Sequence, residues 1–419
     1  MLYGLIGENV QFSFSKQIHK NLSSPSYELW SISKEHFLTF LQNKNFQGIN
    51  VTIPYKEVAL QHVDEIDPIA KEIGCINTIL HQDKKLIGYN TDYLGFEYLL
   101  DFYNISLENK KIAILGSGGT AKTVSYVAKK RNCKNVVIFS RNAKNGLAYD
   151  QIHQVKDFEI LINTTPNGMM GYEDKNLVDL FSFTQLEWVI DLIYNPLKTS
   201  LLLQAESKKI NIASGLIMLV AQAFYSEQLF QSKTLDEEKI IEEYENLLSS
   251  MINIVLIGMP GAGKTTLTQI LTKKLKKSYL SIDSEIEKQE QKSIQEIFLL
   301  YGEQHFRLLE EKMTQTISAF HDKIIDTGGG IVLNEKNISA LKKNGVLIYV
   351  NRGMDNIQLN KERPLAKNYA DLKKIYQQRK ELYEKYKDIE IDNNLSINQA
   401  IIKIQEAIHA YTHLKRTKY

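Results

Sequence analysis

Short apolar runs alternate with helix-spaced segments along the first half of the chain. Residues 3–7, 27–31 and 48–53 read as strands, and residues 34–42 and 92–102 place apolar side chains at helical spacing. A second alternation opens at Lys110. Residues 111–115, 136–139, 160–162 and 188–192 read as buried parallel strands with helical patterns between them, the βαβ rhythm of a doubly wound sheet. Residues 233–251 contain no Pro or Gly, and 236–244 keep helical spacing, which predicts a semi-rigid helical joint rather than a flexible linker. Beyond it, residues 252–257 read as a strand, then a glycine-rich turn, then a helical pattern over 266–277. Ser293 and Glu296 have the spacing of a capping box. Residues 323–326 and 346–350 read as strands, and the last helices are predicted at 371–385 and 397–409.

A length of 419 residues predicts two or three domains, and 43% hydrophobic with 24% charged residues is ordinary globular composition. The net charge of +2 supplies no bulk field for nucleic acid or a membrane surface, and the basic tail at 415–418 reads as a solvated end. Cys75 and Cys133 lie far apart and form neither a metal-spaced pair nor a disulfide framework. The histidines show no ligand spacing. The chain starts directly on a strand pattern, so no signal peptide is expected, and the apolar run at 216–224 is too short to span a bilayer. The expectation is a soluble cytoplasmic protein with small-molecule partners, no nucleic acid and no membrane. No pattern speaks to its oligomeric state.

The most specific chemical signal is Gly258-Met259-Pro260-Gly261-Ala262-Gly263-Lys264-Thr265, set between a predicted strand and a predicted helix. In this phosphate cradle, glycines turn backbone N–H groups toward phosphate oxygens. Gly261, Ala262, Gly263, Lys264, Thr265 and Thr266 are the expected ATP contacts. Lys264 reaches the outer phosphates, and the Thr265 hydroxyl is the expected Mg²⁺ ligand. A nucleotide domain that starts near residue 251 leaves about 250 residues for another activity.

After the strand at 111–115 comes Gly116-Ser117-Gly118-Gly119-Thr120-Ala121, which fits a dinucleotide-binding turn. The next strand ends in Ser140-Arg141-Asn142. A guanidinium where NAD sites usually place a carboxylate suits a 2′-phosphate, so NADP is expected over NAD.

Residues 48–56, 76–78 and 88–92 contain Asn-Val-Thr-Ile-Pro-Tyr-Lys, Asn-Thr and Asn-Thr-Asp motifs. Through them, residues 1–245 resemble shikimate dehydrogenase. The resemblance implies an α/β substrate domain at 1–100 with a return helix at about 216–232, then a Rossmann NADP domain at 101–245. It implies Lys56 and Asp92 as the proton-transfer pair, with Ser13, Ser15, Thr52, Asn77, Tyr194 and Gln222 binding shikimate. Leu192 and Gly215 join the cofactor contacts. The sequence departs from the family at Asn9, Phe12 and Lys16, where Pro, His and Pro are usual, while both serines are kept.

Farther on, Ser281 to Glu287, Gly302-Glu303-Gln304-His305-Phe306-Arg307, Asp326-Thr327-Gly328-Gly329-Gly330, Arg363-Pro364-Leu365 and Arg379 to Tyr383 resemble shikimate kinase. The match runs from about residue 251 to 419 and implies a P-loop α/β domain of the nucleoside monophosphate kinase type. Arg307 and Arg379 would clamp a carboxylate, Asp283 would orient or deprotonate the attacking hydroxyl, and Gly328, Gly329 and Gly330 would approach the ring. Arg363 would neutralise the transferring phosphoryl group from a lid. Arg307 and Arg379 also fit ordinary helical ion pairs, Glu303 and Glu310 being in reach of Arg307. Ser281 stands where the family commonly has an aspartate that supports Mg²⁺, and Asp326 is the expected substitute. The expected whole is a bifunctional enzyme. It would reduce 3-dehydroshikimate to shikimate with NADPH and phosphorylate shikimate to shikimate 3-phosphate with MgATP. The rival readings are quinate use, a degenerate nucleotide-binding regulatory C-terminal module, and a nucleoside or gluconate-type kinase.

Overall fold

The computed structural model describes residues 2–23, 26–142, 146–154, 156–357, 368–394 and 396–413. The chain divides into two compact units, residues 1–247 and 248–418.

The first unit opens with a mixed sheet of β1 (Tyr3–Gly7), β2 (Tyr27–Ser31), β3 (Gly48–Val51), β4 (Glu65–Ile66), β5 (Thr78–Gln82) and β6 (Lys85–Tyr89), in the order β2-β1-β3-β5-β6-β4. β1 runs parallel to β2 and β3, and β5 and β6 form an antiparallel hairpin. Helices α1 (Ser15–Leu22), α2 (Lys34–Asn43), α3 (Lys56–Leu60) and α4 (Pro68–Ile73) accompany the sheet. Ile6, Phe37, Leu41, Ile49, Val51 and Ile79 fill the core. The strand predicted over 48–53 stops at Val51, because Thr52 and Tyr55 close a turn (Tyr55 N to Thr52 O, 2.9 Å) around Pro54, which has no N–H to give a ladder. The turn sets Lys56 at the start of α3.

Helix α5 (Asp92–Phe102) leads to an all-parallel sheet of β7 (Lys111–Leu115), β8 (Asn135–Phe139), β9 (Ile160–Asn163), β10 (Trp188–Asp191) and β11 (Asn211–Ser214), ordered β11-β10-β9-β7-β8. The chain leaves β7 for one neighbour, then returns to its other side. The carboxyl ends of β7 and β9 therefore flank a crevice of the kind that takes ligands in doubly wound sheets. Helix α6 (Gly119–Lys130) starts there. After α7 (Ser200–Ser207), the long apolar α8 (Leu216–Gln231) packs on α5 and α1. Helix α9 (Glu238–Met251) buries Ile240, Tyr244, Leu247, Leu248 and Met251 at helical spacing.

The second unit has one parallel sheet of β12 (Asn253–Ile257), β13 (Ser278–Ser281), β14 (Lys323–Asp326), β15 (Gly345–Asn351) and β16 (Ile389–Asp392), ordered β13-β14-β12-β15-β16. Its helices are α10 (Lys264–Leu275), α11 (Ile282–Glu290), α12 (Ile294–Ser318), α13 (Glu335–Asn344), α14 (Tyr369–Tyr386) and α15 (Ile397–His413). Helix α10 begins two residues earlier than predicted, because Gly263 at φ 94° ends the cradle directly on the helix. The capping box is formed. Glu296 N donates to Ser293 Oγ at 3.2 Å, and Ser293 N donates to Glu296 Oε2 at 2.8 Å. Among the described residues, no helix is long and apolar enough to cross a membrane.

Candidate active sites

In the first unit, a cavity of about 200 Å³ lies between the carboxyl ends of the two sheets. It is lined by Ser13, Ser15, Thr52, Lys56, Asn77, Asp92, Tyr194 and Gln222, together with Thr120, Leu192 and Gly215. Lys56 enters from the start of α3, and Asp92 from the first turn of α5, where the helix dipole favours a carboxylate. Lys56 Nζ donates to Asp92 Oδ2 at 2.6 Å and lies 3.4 Å from Thr120 Oγ1. Asn77 Nδ2 donates to Asp92 Oδ1 at 2.9 Å and lies 3.4 Å from Gln222 Oε1. The Asn77 oxygen accepts from Thr91 N at 2.6 Å, which fixes the orientation of its amide.

Ser13 Oγ donates to Ser15 Oγ at 3.0 Å and is hydrogen-bonded to Tyr194. Burial pushes the Tyr194 phenol above its ordinary range, so it remains a neutral donor. Three hydroxyls thus face one corner of the cavity, an arrangement suited to a carboxylate.

Gly116, Ser117, Gly118, Gly119 and Ala121 gather where β7 meets α6, with Ser140, Arg141 and Asn142 at the end of β8. Ser117 and Ser140 hydroxyls are 2.9 Å apart. Gly116 has φ 105°, and a Cβ there would lie 2.6 Å from Thr164 Oγ1, so the turn demands glycine. The N-cap Gly118 makes no side-chain cap bond, so no side chain occupies the first N–H groups of α6. Arg141 is exposed beside this crevice. The residues present therefore fit a dinucleotide that carries an extra phosphate.

In the second unit, a cavity of about 350 Å³ is lined by Gly261, Lys264, Thr265, Asp283, Arg307, Gly328, Gly329, Gly330 and Arg379, with Ser281, Glu310 and Asp326. Lys264 is buried and donates to the cradle carbonyls of Gly258 (3.1 Å) and Met259 (3.2 Å). Ala262 and Gly263 are not part of this lining, Ala262 being buried and Gly263 half-buried, and Thr266 is exposed in the first turn of α10. Arg363 lies outside the described residues.

Arg307 donates to Glu310 at 2.9 Å and to Glu303 at 3.0 Å, so the helical ion pairs form while the guanidinium still lines the cavity. Burial works against its charge, but the two glutamates prevail and hold its pKa above the ordinary value. A Cβ on Gly330 would lie 2.4 Å from Arg307 Nη1, and one on Gly328 would lie 3.0 Å from Asp283 Oδ1. The glycine triplet is thus the floor on which these side chains rest. Tyr383 OH donates to Gly329 O and pins that floor.

Asp283 Oδ1 is buried with no hydrogen-bond partner. Burial raises its carboxyl to about 6, with Asp326 and Glu287 adding to the rise and Lys264 and Arg307 opposing it. An unsatisfied acceptor of this kind is suited to a donor on a ligand. Ser281 lines the cavity, but its hydroxyl is engaged by the backbone of the next helix. Its Oγ caps α11 by accepting from Ser284 N. The carboxylate beside Thr265 comes from Asp326, the cross-strand neighbour of Ser281, at 2.6 Å from the Thr265 hydroxyl. Hydroxyl and carboxylate together are a donor set that suits a hard divalent cation.

Sequence reasoning had passed over Thr164, Glu310 and Tyr383 as site residues. Thr164 follows a buried strand at the point where strand order reverses, and that position was the available signal.

Fold and sites define a dinucleotide-dependent oxidoreductase joined to a P-loop phosphotransferase. Residues 5–79 match the family model "Shikimate dehydrogenase substrate binding domain", and residues 260–409 match "Shikimate kinase". The NADP(+)-dependent shikimate dehydrogenase of Clostridium botulinum strain 657 is 36% identical over 239 residues, covering 53% of this chain and 93% of that protein. The crystal structure of shikimate dehydrogenase 1 from Peptoclostridium difficile superposes with TM-score 0.56 at 33% identity, covering 59% of this chain and 97% of that one. Shikimate 5-dehydrogenase from Thermus thermophilus, solved in complex with NADP(H) and shikimate, gives TM-score 0.52 at 27% identity, with coverages of 59% and 99%. The chain belongs to the shikimate dehydrogenase family, and a shikimate kinase domain follows in its second unit.

Proposed function

We propose that the first unit reduces 3-dehydroshikimate to shikimate with NADPH, and that the second unit phosphorylates shikimate with MgATP. The carrying observation is the Lys56–Asp92 contact of 2.6 Å at the place where the substrate cavity meets the start of α6.

Bound NADPH supplies the hydride. The Ser13 and Ser15 hydroxyls and the Tyr194 phenol hold the substrate carboxylate. Lys56 Nζ gives a proton to the oxygen of the ketone as that oxygen gains charge. Asp92 holds the ammonium in place, and Asn77 holds Asp92. Arg141 favours the cofactor with the 2′-phosphate.

In the second unit, Arg307 and Arg379 hold the shikimate carboxylate in forked geometry. Asp283 accepts the proton of the attacking hydroxyl through its unpaired oxygen. Backbone N–H groups from Gly261 to Thr265, with Lys264, cradle the phosphates. Thr265 directly and Asp326 behind it would hold Mg²⁺, which neutralises phosphate charge when bound. Arg363 is assigned the lid contact by resemblance.

The test supplies 3-dehydroshikimate, NADPH and MgATP together and follows NADPH loss and ADP formation. Lys56→Ala is expected to lose reduction and to keep the phosphorylation of added shikimate. Lys264→Ala is expected to do the reverse. Reduction at the wild-type rate by Lys56→Ala would overturn the acid–base assignment, and shikimate-independent ATP consumption would overturn the kinase reading.

A further inference from the structure

One cation beside the phosphate cradle carries a buried N–H that no acceptor meets. Arg352 directly follows β15, the strand paired with β12, which feeds the cradle. The cradle lies against this strand end, since a Cβ on Gly258 would meet Val350 O at 2.6 Å. At the other end of the cradle, a Cβ on Gly263 would lie 3.6 Å from Arg352 Nη1 and 2.6 Å from Asn393 Nδ2. The guanidinium therefore rests beside the last glycine of the loop, where α10 begins.

Arg352 is half-buried, and its Nε is buried without a hydrogen-bond acceptor. Among the described residues it forms no ion pair, unlike Arg131 and Arg307, which each hold a carboxylate, and like the cavity-lining Arg379, whose Nε is also buried without an acceptor. A buried guanidinium N–H is rarely left unmade unless a ligand completes it.

The turn that carries Arg352 is braced by its neighbours. Gly353 N and Asn356 Nδ2 both donate to Asn394 Oδ1, at 2.9 and 2.8 Å. Asn394 is in turn held by Asp392 Oδ1 at 2.7 Å. The preceding residue, Asn393, donates from Nδ2 to Ala262 O at 2.6 Å, which ties this loop to the cradle, and its own Oδ1 is buried without a partner. The turn carrying Arg352 and the loop carrying Asn393 thus form one braced unit against the cradle.

We propose that Arg352 is a phosphate-binding residue of the nucleotide site, a fixed cation additional to Lys264 that donates to a phosphate oxygen of a nucleoside di- or triphosphate. Asn393 is a positioning residue that keeps the cradle against it. A planar guanidinium matches phosphate geometry and stays charged throughout the reaction. The assignment rests on the kinase reading of the second unit.

The experiment titrates the full-length chain with MgADP by calorimetry, comparing wild type, Arg352→Gln and Arg352→Lys, and measures kinase KM for ATP and for shikimate. Arg352→Gln is expected to weaken MgADP and raise KM for ATP about 10- to 100-fold, the size of a lost charge-assisted contact. KM for shikimate should stay within about twofold of wild type, less than a third of a factor of ten in free energy. Arg352→Lys should fall between, because it keeps the charge without the fork, and it serves as the reading if the glutamine variant does not fold. MgADP affinity unchanged in both variants would overturn the assignment alone. A wild-type chain that binds no MgADP would overturn the kinase reading and this assignment with it. An equal rise in both KM values would show a structural role and would also overturn it.

Discussion

Asp283 is the residue whose surroundings set the clearest pH dependence. Its carboxyl, raised to about 6 by burial, would have to be ionised to serve as the proposed acceptor of the hydroxyl proton. The kinase kcat/KM for shikimate should therefore fall as pH drops through about 6, while ATP binding at Lys264 persists. Asp283→Asn should lower kcat by about 10²- to 10⁴-fold and abolish that limb of the profile, measured as ADP formation between pH 5 and 8. The stability effect has the opposite sign. A carboxyl raised from 3.8 to about 6 favours the folded chain below pH 4, and that contribution is lost as pH climbs through 6, amounting to about 3 kcal/mol at most. At this scale much of the placement of the candidate residues was legible. Lys56, Asn77 and Asp92 sit at helix starts and beside a strand in short, unusual motifs, and the structure brings Lys56 and Asn77 each into a hydrogen bond with Asp92. Glu310 was harder to see. Its helical spacing from Arg307 reads as a surface pair, and only the packing of α12 shows it to be fully buried beside the ligand cavity.

Between elements, the end of β14 sets the geometry of the kinase site. Gly330 lets Arg307 of α12 lie directly over the backbone, and any side chain at this position would occupy the place of the guanidinium. Gly330→Ala is therefore expected to push Arg307 off its glutamate partners and to raise KM for shikimate about tenfold or more, with KM for ATP little changed. Steady-state kinetics in each substrate would check this, and an unchanged KM for shikimate would remove Arg307 from the binding role. Central strands such as β7, β9, β12 and β15 are continuous apolar runs buried on both faces, so pattern alone located them. The strands that pattern missed have physical reasons for hiding. β11, β13 and β16 are sheet edges and carry polar residues such as Asn211, Ser278 and Glu390. The β5–β6 hairpin turns through Asp83 and Lys84, both at positive φ without a glycine to announce it. The end of β3 was overrun because Ile53 continues the apolar run although it already lies in the turn closed between Thr52 and Tyr55.

For the whole molecule, the question is what joining two activities in one chain does to the intermediate. Shikimate is small and polar, and it must leave the first cavity before it can enter the second. Effective concentration is a property of a ligand that stays tethered, and a released product is not tethered. Enzyme turnovers typically take about a millisecond or longer, so a free product has mixed with solvent long before the next chemical step. The intact chain should then behave as two enzymes at equal concentration. A mixture of Lys56→Ala and Lys264→Ala chains, each present at the concentration of the intact chain, has the same number of working sites of each kind on separate molecules. After addition of 3-dehydroshikimate, NADPH and MgATP, both preparations should show the same lag before ADP appears and the same final rate. A lag shorter by more than about twofold in the intact chain would require direct transfer between the sites, since equal site concentrations leave no other source for the difference.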